Sequence, residues 1–397
     1  MHLLREVFLM KKRIIAALLC ALVLSCTLLT SCGNLFGGET IEVAMITDGG
    51  DVGAGSMNQA VWDVVANFAI ANGKSYDAYQ PVSSSREDRV DIIMQAIVKG
   101  AMLVVCSGQA LSEAVYEVQD LFPDVTFLLV DGIPTAPADT KKPEGGLLLN
   151  SINTTAVTST AVAETTALSD TKISSNVYCL TFREEQAGYL AGYVVTRNGY
   201  THLGFMSEKD SDSDMLYGYG FLQGVEDAAR DMGITERINV IFRYSGNGTT
   251  DDEFYNTAKS WYLSGTEVIF ASGNSYSSVI EAAEECNGRV ICSDSDHSSD
   301  SNLVVTSAMK MLEKPLKEAL QSLKANNYKW DKDHSARSVL LGLDDGAVGL
   351  ATDSWRFGAF TVESYESVAA KIVAGEIKIS NDKTSIPNLD IAVEFQS

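Results

Sequence analysis

The sequence predicts an α/β fold built from doubly wound parallel sheets. Strand-length apolar runs alternate with longer segments whose apolar residues recur at helical spacing. The strand runs are apolar throughout, which is typical of parallel strands buried on both faces, and right-handed crossovers then place helices on both sides of each sheet. The chain has 397 residues, which suits two or three domains. Because the pattern occurs twice, we expect two α/β units that divide near residues 181–186.

The first unit begins with a predicted strand at residues 41–47 and a predicted helix at 57–72. Val61, Val64 and Phe68 of that helix fall on one face, as they do in an amphipathic helix. The remaining predicted elements of this unit are strands at 76–82, 102–106 and 125–130 and helices at 86–99 and 111–121.

The second unit repeats this alternation of strands and helices. Its strands are predicted at 202–206, 238–244, 267–271, 289–292 and 339–343, and its clearest helices at 184–197, 215–231 and 364–373. A further strand, predicted at 177–180, comes just before the division. A further helix is predicted at 307–324. We expect it to be interrupted near its middle at Pro315, because proline lacks the backbone N–H that a helix interior requires.

The N-terminus has the pattern of a secretory signal. Basic residues 11–13 precede a short apolar run at 14–24, and Leu29-Thr30-Ser31-Cys32 follows. This ending resembles a bacterial lipobox, in which the cysteine is lipidated and becomes the first residue of the mature chain. We therefore expect a signal peptide at 1–31 and a lipid-carrying Cys32; a simple signal peptide with an incidental cysteine is the alternative.

The segment after the lipobox, residues 32–40, is small and polar and is expected to be a flexible tether. Met10 begins a more typical signal sequence than Met1, so translation from Met10 is an alternative start. The expected location is the outer face of the bacterial cytoplasmic membrane, with the protein held there by lipid.

Composition and charge argue against several classes of function. The formal net charge is −22, which would repel nucleic-acid phosphates and anionic lipid surfaces, so no nucleic-acid partner is expected. The four histidines are not paired at metal-ligand spacing, and the seven cysteines form no CxxC motif. No metal and no cofactor are therefore expected. The spacing of Cys286 and Cys292 leaves a disulfide between them open.

Candidate ligand-binding residues follow the predicted strands, because the crevice of such sheets lies beyond the carboxyl ends of the strands. Small residues there admit a ligand, and Asp and Asn supply directional hydrogen bonds. This chemistry suits a polar, hydroxyl-rich, uncharged solute. The segments are 48–58, 107–109, Asp131-Gly132, 245–247, Ser272-Gly273-Asn274 and 293–296.

The glycine-rich segment after the first strand does not have a nucleotide-binding pattern. Gly50, Gly53 and Gly55 do not fit G-x-G-x-x-G, and no Walker lysine follows them. Asp48 and Asp51 would also repel a pyrophosphate. A dinucleotide site is therefore not expected.

Several segments match one family of bacterial receptors in order and in spacing. They are residues 43–48 with Ser56-Met57-Asn58-Gln59, residues 122–127 leading into Asp131-Gly132, residues 181–192, Tyr219-Gly220-Phe221 with Gly224-Val225, residues 268–270, Ser293-Asp294-Ser295-Asp296 and residues 306–310. Together they resemble the basic membrane protein family, whose members are lipoproteins that include purine nucleoside receptors and supply ABC transporters. The resemblance covers nearly all of residues 41–375.

The resemblance implies the two-lobed type I periplasmic-binding-protein fold, in which the chain crosses between the lobes three times. Residues 41–182 plus about 298–337 would form the N-terminal lobe. Residues from about 183 to 297, together with 338–397, would form the C-terminal lobe. The implied function is capture of a nucleoside, with a purine favoured, by closure of the lobes, followed by delivery to an ABC permease.

The resemblance also implies roles for individual residues. Asp48, Asn58 and Asp131 match binding residues on the first lobe, Asp294 matches a ribose-contacting aspartate, and Lys310 matches a binding lysine. The complete predicted binding set is Asp48, Ser56, Met57, Asn58, Asp131, Ser272, Gly273, Asn274, Asp294 and Lys310.

One residue departs from the family pattern. Where the family commonly has a phenylalanine that stacks on the base, this chain has Met57, whose thioether packs on an aromatic face with less shape selection.

Simpler structural roles remain open for these residues. Asn58 could cap the first helix, and Lys310 could be a solvated helix residue. The acidic pair Glu184-Glu185 is expected to be a solvated face and not a catalytic pair.

Two other classes of function remain open from the sequence. The protein could be a receptor that signals the presence of a small polar solute, for example by presenting its closed form to a sensor kinase. An extracytoplasmic nucleoside hydrolase is a further alternative, with the aspartates near Asp48 holding calcium. The sequence shows no nucleophile–base pair and no G-x-S-x-G motif, so we expect a binding protein and not an enzyme.

Overall fold

The structure is a computed structural model that describes residues 40–50, 52–53, 56–137, 171–207, 211–245, 251–273 and 276–396. The predictions for the signal peptide, for Cys32 and for Asn274 lie outside these residues. Within the described parts of the chain, no helix is both long enough and apolar enough to cross a membrane.

Two sheets form the framework of two lobes. The first sheet has six strands in the order β11-β5-β4-β3-β1-β2, and each neighbouring pair is parallel. Its strands are β1 (Val43–Thr47), β2 (Tyr76–Tyr79), β3 (Leu103–Ser107), β4 (Thr126–Val130), β5 (Val177–Phe182) and β11 (Arg337–Leu341).

The second sheet has seven strands in the order β12-β10-β9-β8-β6-β7-β13. Its strands are β6 (His202–Ser207), β7 (Asn239–Tyr244), β8 (Val268–Ser272), β9 (Arg289–Asp294), β10 (Val304–Lys310), β12 (Val348–Leu350) and β13 (Ala392–Gln396). All neighbours are parallel except β12, which is antiparallel to β10. The predicted parallel sheet is therefore correct except at this short edge strand.

The helices connect the strands. They are α1 (Met57–Ala71), α2 (Arg86–Val98), α3 (Ser112–Val118), α4 (Glu184–Arg197), α5 (Asp212–Met232), α6 (Asp251–Leu263), α7 (Tyr276–Cys286), α8 (Glu313–Ala325) and α9 (Val362–Val373).

The central strands of both sheets are buried on both faces, as the uninterrupted apolar runs predict. In β1, Val43 and Met45 face one apolar core with α1, whereas Ala44 and Ile46 face another with α2 and α3. In β8 of the second lobe, Val268 and Phe270 belong to a core shared with α5, and Ile269 and Ala271 to a core shared with α6 and α7. The fold is therefore doubly wound in each lobe.

The two lobes repeat one topology. The first five strands of the first lobe are ordered 2-1-3-4-5, and β7-β6-β8-β9-β10 repeats this order in the second lobe. The order reverses between β1 and β3 and again between β6 and β8, and such reversals are where open α/β sheets bind ligands. Ligand-binding loops from both lobes are therefore expected to meet at one cleft.

The chain crosses between the lobes at three places that are hydrogen-bonded to one another. Arg183 N donates to Leu341 O at 2.9 Å, and Leu343 N donates to the Gln186 Oε1 atom at 2.8 Å. Near the remaining crossing, Met311 N donates to Ala347 O at 2.8 Å. These bonds tie the three connections into one hinge.

The expected return to the first lobe near residue 298 is too early. The strand β10 pairs with β9 in the second sheet, so the chain returns only after Lys310, and α8 then packs against α1. The expected crossing near residue 337 is also too early, because β11 (Arg337–Leu341) pairs with β5 in the first sheet. The resemblance located both crossings only approximately, and the first was hidden because β10 was not predicted.

The helix predicted at 307–324 is also corrected. Its first residues form β10, and the helix begins at Glu313. Pro315 therefore lies in the first turn, where backbone N–H groups have no partner within the helix and proline causes no break. The strand was not predicted because Thr306 and Ser307 interrupt its apolar run. Both are buried, and their hydroxyls are satisfied there: Thr306 Oγ1 donates to Ala351 O, and Ser307 Oγ accepts from His297 N.

The helices α4 and α5 pack unusually closely through glycines. A Cβ atom on Gly192 would lie 2.1 Å from Phe221 O, and one on Gly224 would lie 1.9 Å from Tyr189 O. Gly188 and Gly220 complete the contact, so each helix has glycines four residues apart. This packing fixes the first turns of both helices beside the cleft.

Candidate functional site

A cleft of about 520 Å³ lies between the lobes at the carboxyl ends of both sheets. It is lined by Asp48, Gly50, Gly53, Ser56, Met57, Asn58, Gly108, Gln109, Ala110, Asp131, Ser207, Ser211, Ser213, Asp214, Gly273, Tyr276, Asp294 and Lys310. Its residues therefore come from both lobes, and they include both points where the strand order reverses.

The loop after β1 is held by Asn58. The Asn58 Nδ2 atom donates to Gly50 O at 3.2 Å and lies 3.4 Å from Asp48 Oδ1, while Asn58 Oδ1 accepts a hydrogen bond from Ser107 Oγ at 2.8 Å. Asn58 is buried, so it orders Asp48 and the loop as well as lining the cleft. A Cβ atom on Gly108 would lie 2.9 Å from the Cβ of Asp48, so this loop contact requires glycine.

The first helix begins at the cleft. Ser56 is its N-cap: Ser56 Oγ accepts a hydrogen bond from Gln59 N at 3.1 Å and donates one to Gly53 O at 2.8 Å. The cap belongs to Ser56, so the capping role considered for Asn58 is wrong. Met57 is half-buried, packs against the main core and lines the cleft.

Lys310 is the centre of a buried cluster that joins the lobes. Its Nζ atom lies 2.8 Å from Asp131 Oδ2 of the first lobe and 3.0 Å from Asp294 Oδ1 of the second. It also lies 3.0 Å from Ser213 Oγ and 3.3 Å from Glu184 Oε1. The side chain is 2% exposed, so the solvated role considered for this lysine is wrong.

Electrostatics keep this lysine charged. Burial alone would lower the pKa of Lys310, but the charges of Asp131, Asp294 and Glu184 raise that pKa well above its ordinary value. The three carboxylates therefore favour the charged ammonium form of Lys310.

Asp131 and Asp294 occupy equivalent positions in the two lobes and share an uncommon backbone conformation. Asp131 follows β4 with a φ of 65°, and Asp294 ends β9 with a φ of 68°. Aspartate and asparagine tolerate this left-handed region better than other side-chain-bearing residues. The conformation turns the chain sharply at the strand end, where both carboxylates meet Lys310.

Asp214 is a cleft residue that the sequence did not indicate. Its Oδ1 atom accepts a hydrogen bond from Ser272 Oγ at 2.7 Å, and its Oδ2 atom accepts one from Ser211 Oγ. Burial raises the pKa of Asp214. Ser272 therefore lies behind the cleft and supports Asp214, while the neighbouring Gly273 lines the cleft.

Tyr276 supplies an aromatic ring from the second lobe. It is the first residue of α7, lines the cleft, and packs on His297 with ring centroids 3.9 Å apart. His297 is itself buried and its Nδ1 atom lies 2.8 Å from Asp300 Oδ2. Tyr276 was not predicted as a site residue. It comes directly after a loop of small residues, and no apolar pattern in the sequence marks it.

The acidic pair Glu184-Glu185 is not solvated, so that prediction is wrong. Each residue is 3% exposed. Burial raises the pKa of Glu184 to about 8, with the charge of Lys310 opposing the rise and that of Asp131 adding to it. Burial likewise raises the pKa of Glu185, which pairs with Arg183 at 3.6 Å.

Most of the predicted binding set meets at this cleft. Asp48, Ser56, Met57, Asn58, Asp131, Gly273, Asp294 and Lys310 line it, and Ser272 lies behind it. In the described parts of the chain, no three acidic, histidine or cysteine side chains are arranged to hold a metal ion. Cys286 and Cys292 are free thiols.

Comparison with known proteins identifies the family. The family model for PnrA-like ABC transporter substrate-binding proteins, Bmp, matches residues 41–383. The chain belongs to the Bmp family of ABC transporter substrate-binding proteins. A CD4+ T-cell-stimulating antigen of Listeria monocytogenes is 24% identical to this Bmp protein over 93% of this chain and 99% of its own. Basic membrane protein B of Borreliella burgdorferi is 30% identical over 46% of this chain and 52% of its own.

Solved structures share the Bmp protein's fold. An ABC transporter solute-binding protein from Aeropyrum pernix has a TM-score of 0.64 at 18% identity, over 86% of this chain and 94% of its own. A Caulobacter myo-inositol-binding protein bound to myo-inositol has a TM-score of 0.51 at 14% identity, over 87% of this chain and 100% of its own. The predicted two-lobed periplasmic-binding-protein fold is confirmed.

Proposed function

We propose that this protein is a lipid-anchored receptor that captures a nucleoside between its lobes and delivers it to an ABC permease. The proposal rests mainly on one observation: inside the cleft, Lys310 contacts Asp131 of the first lobe and Asp294 of the second. A ligand stabilises the closed form only through contacts that differ between the open and closed states. A ligand bound at this cluster would touch both lobes and would favour closure.

The chemistry of the cleft supports a neutral, donor-rich ligand. Among the residues that the structure describes, four aspartates line it, Asp48, Asp131, Asp214 and Asp294, and Lys310 is the one cation. Carboxylates accept hydrogen bonds from hydroxyl and amino groups and repel phosphates and carboxylates. The sugar of a nucleoside would present its hydroxyls to Asp294 and Lys310 in this proposal.

In this proposal the base of the nucleoside would lie between one side chain from each lobe. Met57 lines the cleft from the first lobe and Tyr276 from the second. A thioether and an aromatic ring both pack favourably on a flat base. A purine or pyrimidine held in this way would leave its polar edge for the aspartates of the first lobe, Asp48 and Asp131.

The position of Thr40, the last residue of the predicted tether, is compatible with anchoring through Cys32. The described chain begins at Thr40, and Ile41 N donates to Lys99 O at 3.1 Å in the turn between α2 and β3. That turn lies at the amino end of the sheet, opposite the carboxyl ends that form the cleft. A lipid on Cys32 would therefore hold the protein without covering the ligand site.

The identity of the ligand can be tested on the protein as it is produced. The native lipoprotein is extracted from membranes, washed and denatured, and the released small molecules are identified by mass spectrometry. We expect a nucleoside in stoichiometric amount. Recovery of a different solute in that amount, such as a sugar without a base, would replace the nucleoside part of the proposal.

A further inference from the structure

The buried acid Glu184 has no part in the proposed ligand contacts. It is the first residue of α4, and its side chain is 4% exposed. Its Oε1 atom lies 3.3 Å from Lys310 Nζ and 3.4 Å from Ser213 Oγ, which itself lies 3.0 Å from that Nζ. Glu184 therefore contacts Lys310 directly and also through a hydroxyl.

The cluster around Lys310 has more acceptors than the ammonium group has protons. Oxygen atoms of Asp131, Asp294, Ser213 and Glu184 lie within 3.3 Å of Nζ, which carries three hydrogens. Three ionised carboxylates around one cation would leave two uncompensated negative charges in a buried place. Such a cluster is stabilised by a proton on one of the carboxyls.

Glu184 is the carboxyl best placed to hold that proton. It is more buried than Asp131 or Asp294, whose side chains are 12% and 25% exposed. Burial raises its pKa to about 8, and a hydrogen bond shared with Asp131 contributes to the rise. The other groups that face it are Lys310 from β10 and Ser213 and Tyr217 from α5.

We infer that Glu184 is a positioning residue that, as a neutral carboxylic acid, donates a hydrogen bond to Asp131 and holds Lys310 between the aspartates of the two lobes. When Glu184 ionises, it competes with Asp131 and Asp294 for the lysine and adds negative charge beside them. Closure around a ligand removes water from the cleft and favours the neutral form further. Ligand affinity should therefore fall as the pH rises through the titration of Glu184.

The first test needs no ligand. The wild-type chain is labelled with ¹³C at glutamate carboxyls, and the carboxyl signals are followed by NMR as the pH is raised. We expect one buried carboxyl to titrate above neutral pH and Glu184→Gln to remove that signal. The inference is overturned if no carboxyl titrates there or if the signal survives the substitution. The wild-type titration decides the first point even if the variant fails to fold.

The second test measures ligand affinity and rests on the proposed function. Adenosine is the probe, because its base keeps one charge state between neutral and mildly alkaline pH. For a bound form that requires neutral Glu184, the dissociation constant rises about tenfold from about pH 7 to about pH 9. Glu184→Gln should bind adenosine at neutral pH and lose this dependence.

Glu185→Gln is the matched control for this test. It removes a buried carboxyl one residue away that pairs with Arg183, and it should keep the wild-type profile. An unchanged profile in Glu184→Gln, or a flat one in Glu185→Gln, would overturn the inference. Failure of adenosine and every other nucleoside to bind would instead contradict the proposed function and leave the NMR test to decide the role of Glu184.

Discussion

At the scale of single residues, the cleft depends on aspartates at the ends of equivalent strands. Asp131 and Asp294 take the same left-handed backbone conformation and meet one lysine. Strained backbone of this kind persists where the surrounding structure holds it, often at functional sites. A short acidic side chain satisfies both needs here, because it tolerates the conformation and binds the ammonium group.

The charge of Asp294 should matter for binding. Asp294→Asn keeps a residue that tolerates positive φ but removes the negative charge that Lys310 and ligand hydroxyls contact. Hydrogen bonds to charged groups contribute about 1.5–3 kcal/mol, so nucleoside affinity should fall by about one to two decades. Calorimetry measures this, with Asp296→Asn as the control. An unchanged dissociation constant in Asp294→Asn would remove Asp294 from the site.

Met57 tests whether a base lies against the first helix. If it does, Met57→Phe supplies a rigid aromatic face and should tighten purine binding by a factor of about two to twelve, from about 0.5–1.5 kcal/mol. Affinity of wild type and variant for inosine, adenosine, uridine and ribose is the measurement. Weaker binding of every base-containing ligand in the variant would argue that no base occupies this position.

At the scale of elements, sequence patterns predicted the strands and helices that have clear apolar patterns. They missed strands that are short or that contain polar residues. The apolar run of β3 and the helical periodicity of α1 were sufficient for prediction. The strand β12 has only three residues, and β13 lies at the edge of its sheet with Phe395 and Glu394 exposed. β12 is buried but too short to show an apolar run, and β13 has none because its residues are exposed or half-buried.

The site was partly predictable for the same reason. Asp48, Asp131 and Asp294 were identified because they follow apolar strands, and the topology then brings those strand ends together. Glu184 and Asp214 were missed because each lies in the first turn of a helix, where acidic residues commonly stabilise the helix dipole in solvent. Their burial depends on the packing of α4 against α5, which sequence spacing alone does not reveal.

The glycine contact between α4 and α5 should be essential for stability. In Gly192→Ala the new Cβ atom would lie 2.1 Å from the backbone oxygen of Phe221, so the helices would have to separate. Overpacking of this kind typically costs about 1–3 kcal/mol, occasionally more. Chemical denaturation measures the free energy of unfolding. Gly358→Ala, where an added Cβ meets no atom within 4 Å, is the control. Equal stability of the two variants would contradict the described packing.

At the scale of the whole molecule, the protein is two copies of one sheet topology joined by a hydrogen-bonded hinge. The repeat places equivalent strand ends face to face, so one cleft receives loops from both lobes. The same arrangement places Thr40 at the far end of the first lobe. In the proposed anchoring through Cys32, the lipid would therefore be attached at the end of the first lobe that is remote from the cleft.

The tether can be tested independently of the ligand. Cys32→Ser removes the sulfur that would carry a thioether-linked diacylglycerol, and two acyl chains give stable anchoring where one does not. We expect the variant to be released from membranes and to retain wild-type affinity for its ligand. Cell fractionation followed by calorimetry measures both properties. Membrane association equal to that of wild type would contradict anchoring through Cys32.

The central claim is that a nucleoside closes the two lobes around Lys310. Small-angle X-ray scattering tests it directly on the Cys32→Ser chain, freed of ligand by unfolding and refolding and then titrated with adenosine or inosine. The account predicts that the radius of gyration decreases as the nucleoside concentration rises and then reaches a plateau. Lys310→Met, which keeps the length of the side chain but loses its charge, should show no such decrease. A radius unchanged by every nucleoside in the wild-type sequence, or an equal decrease in Lys310→Met, would contradict it.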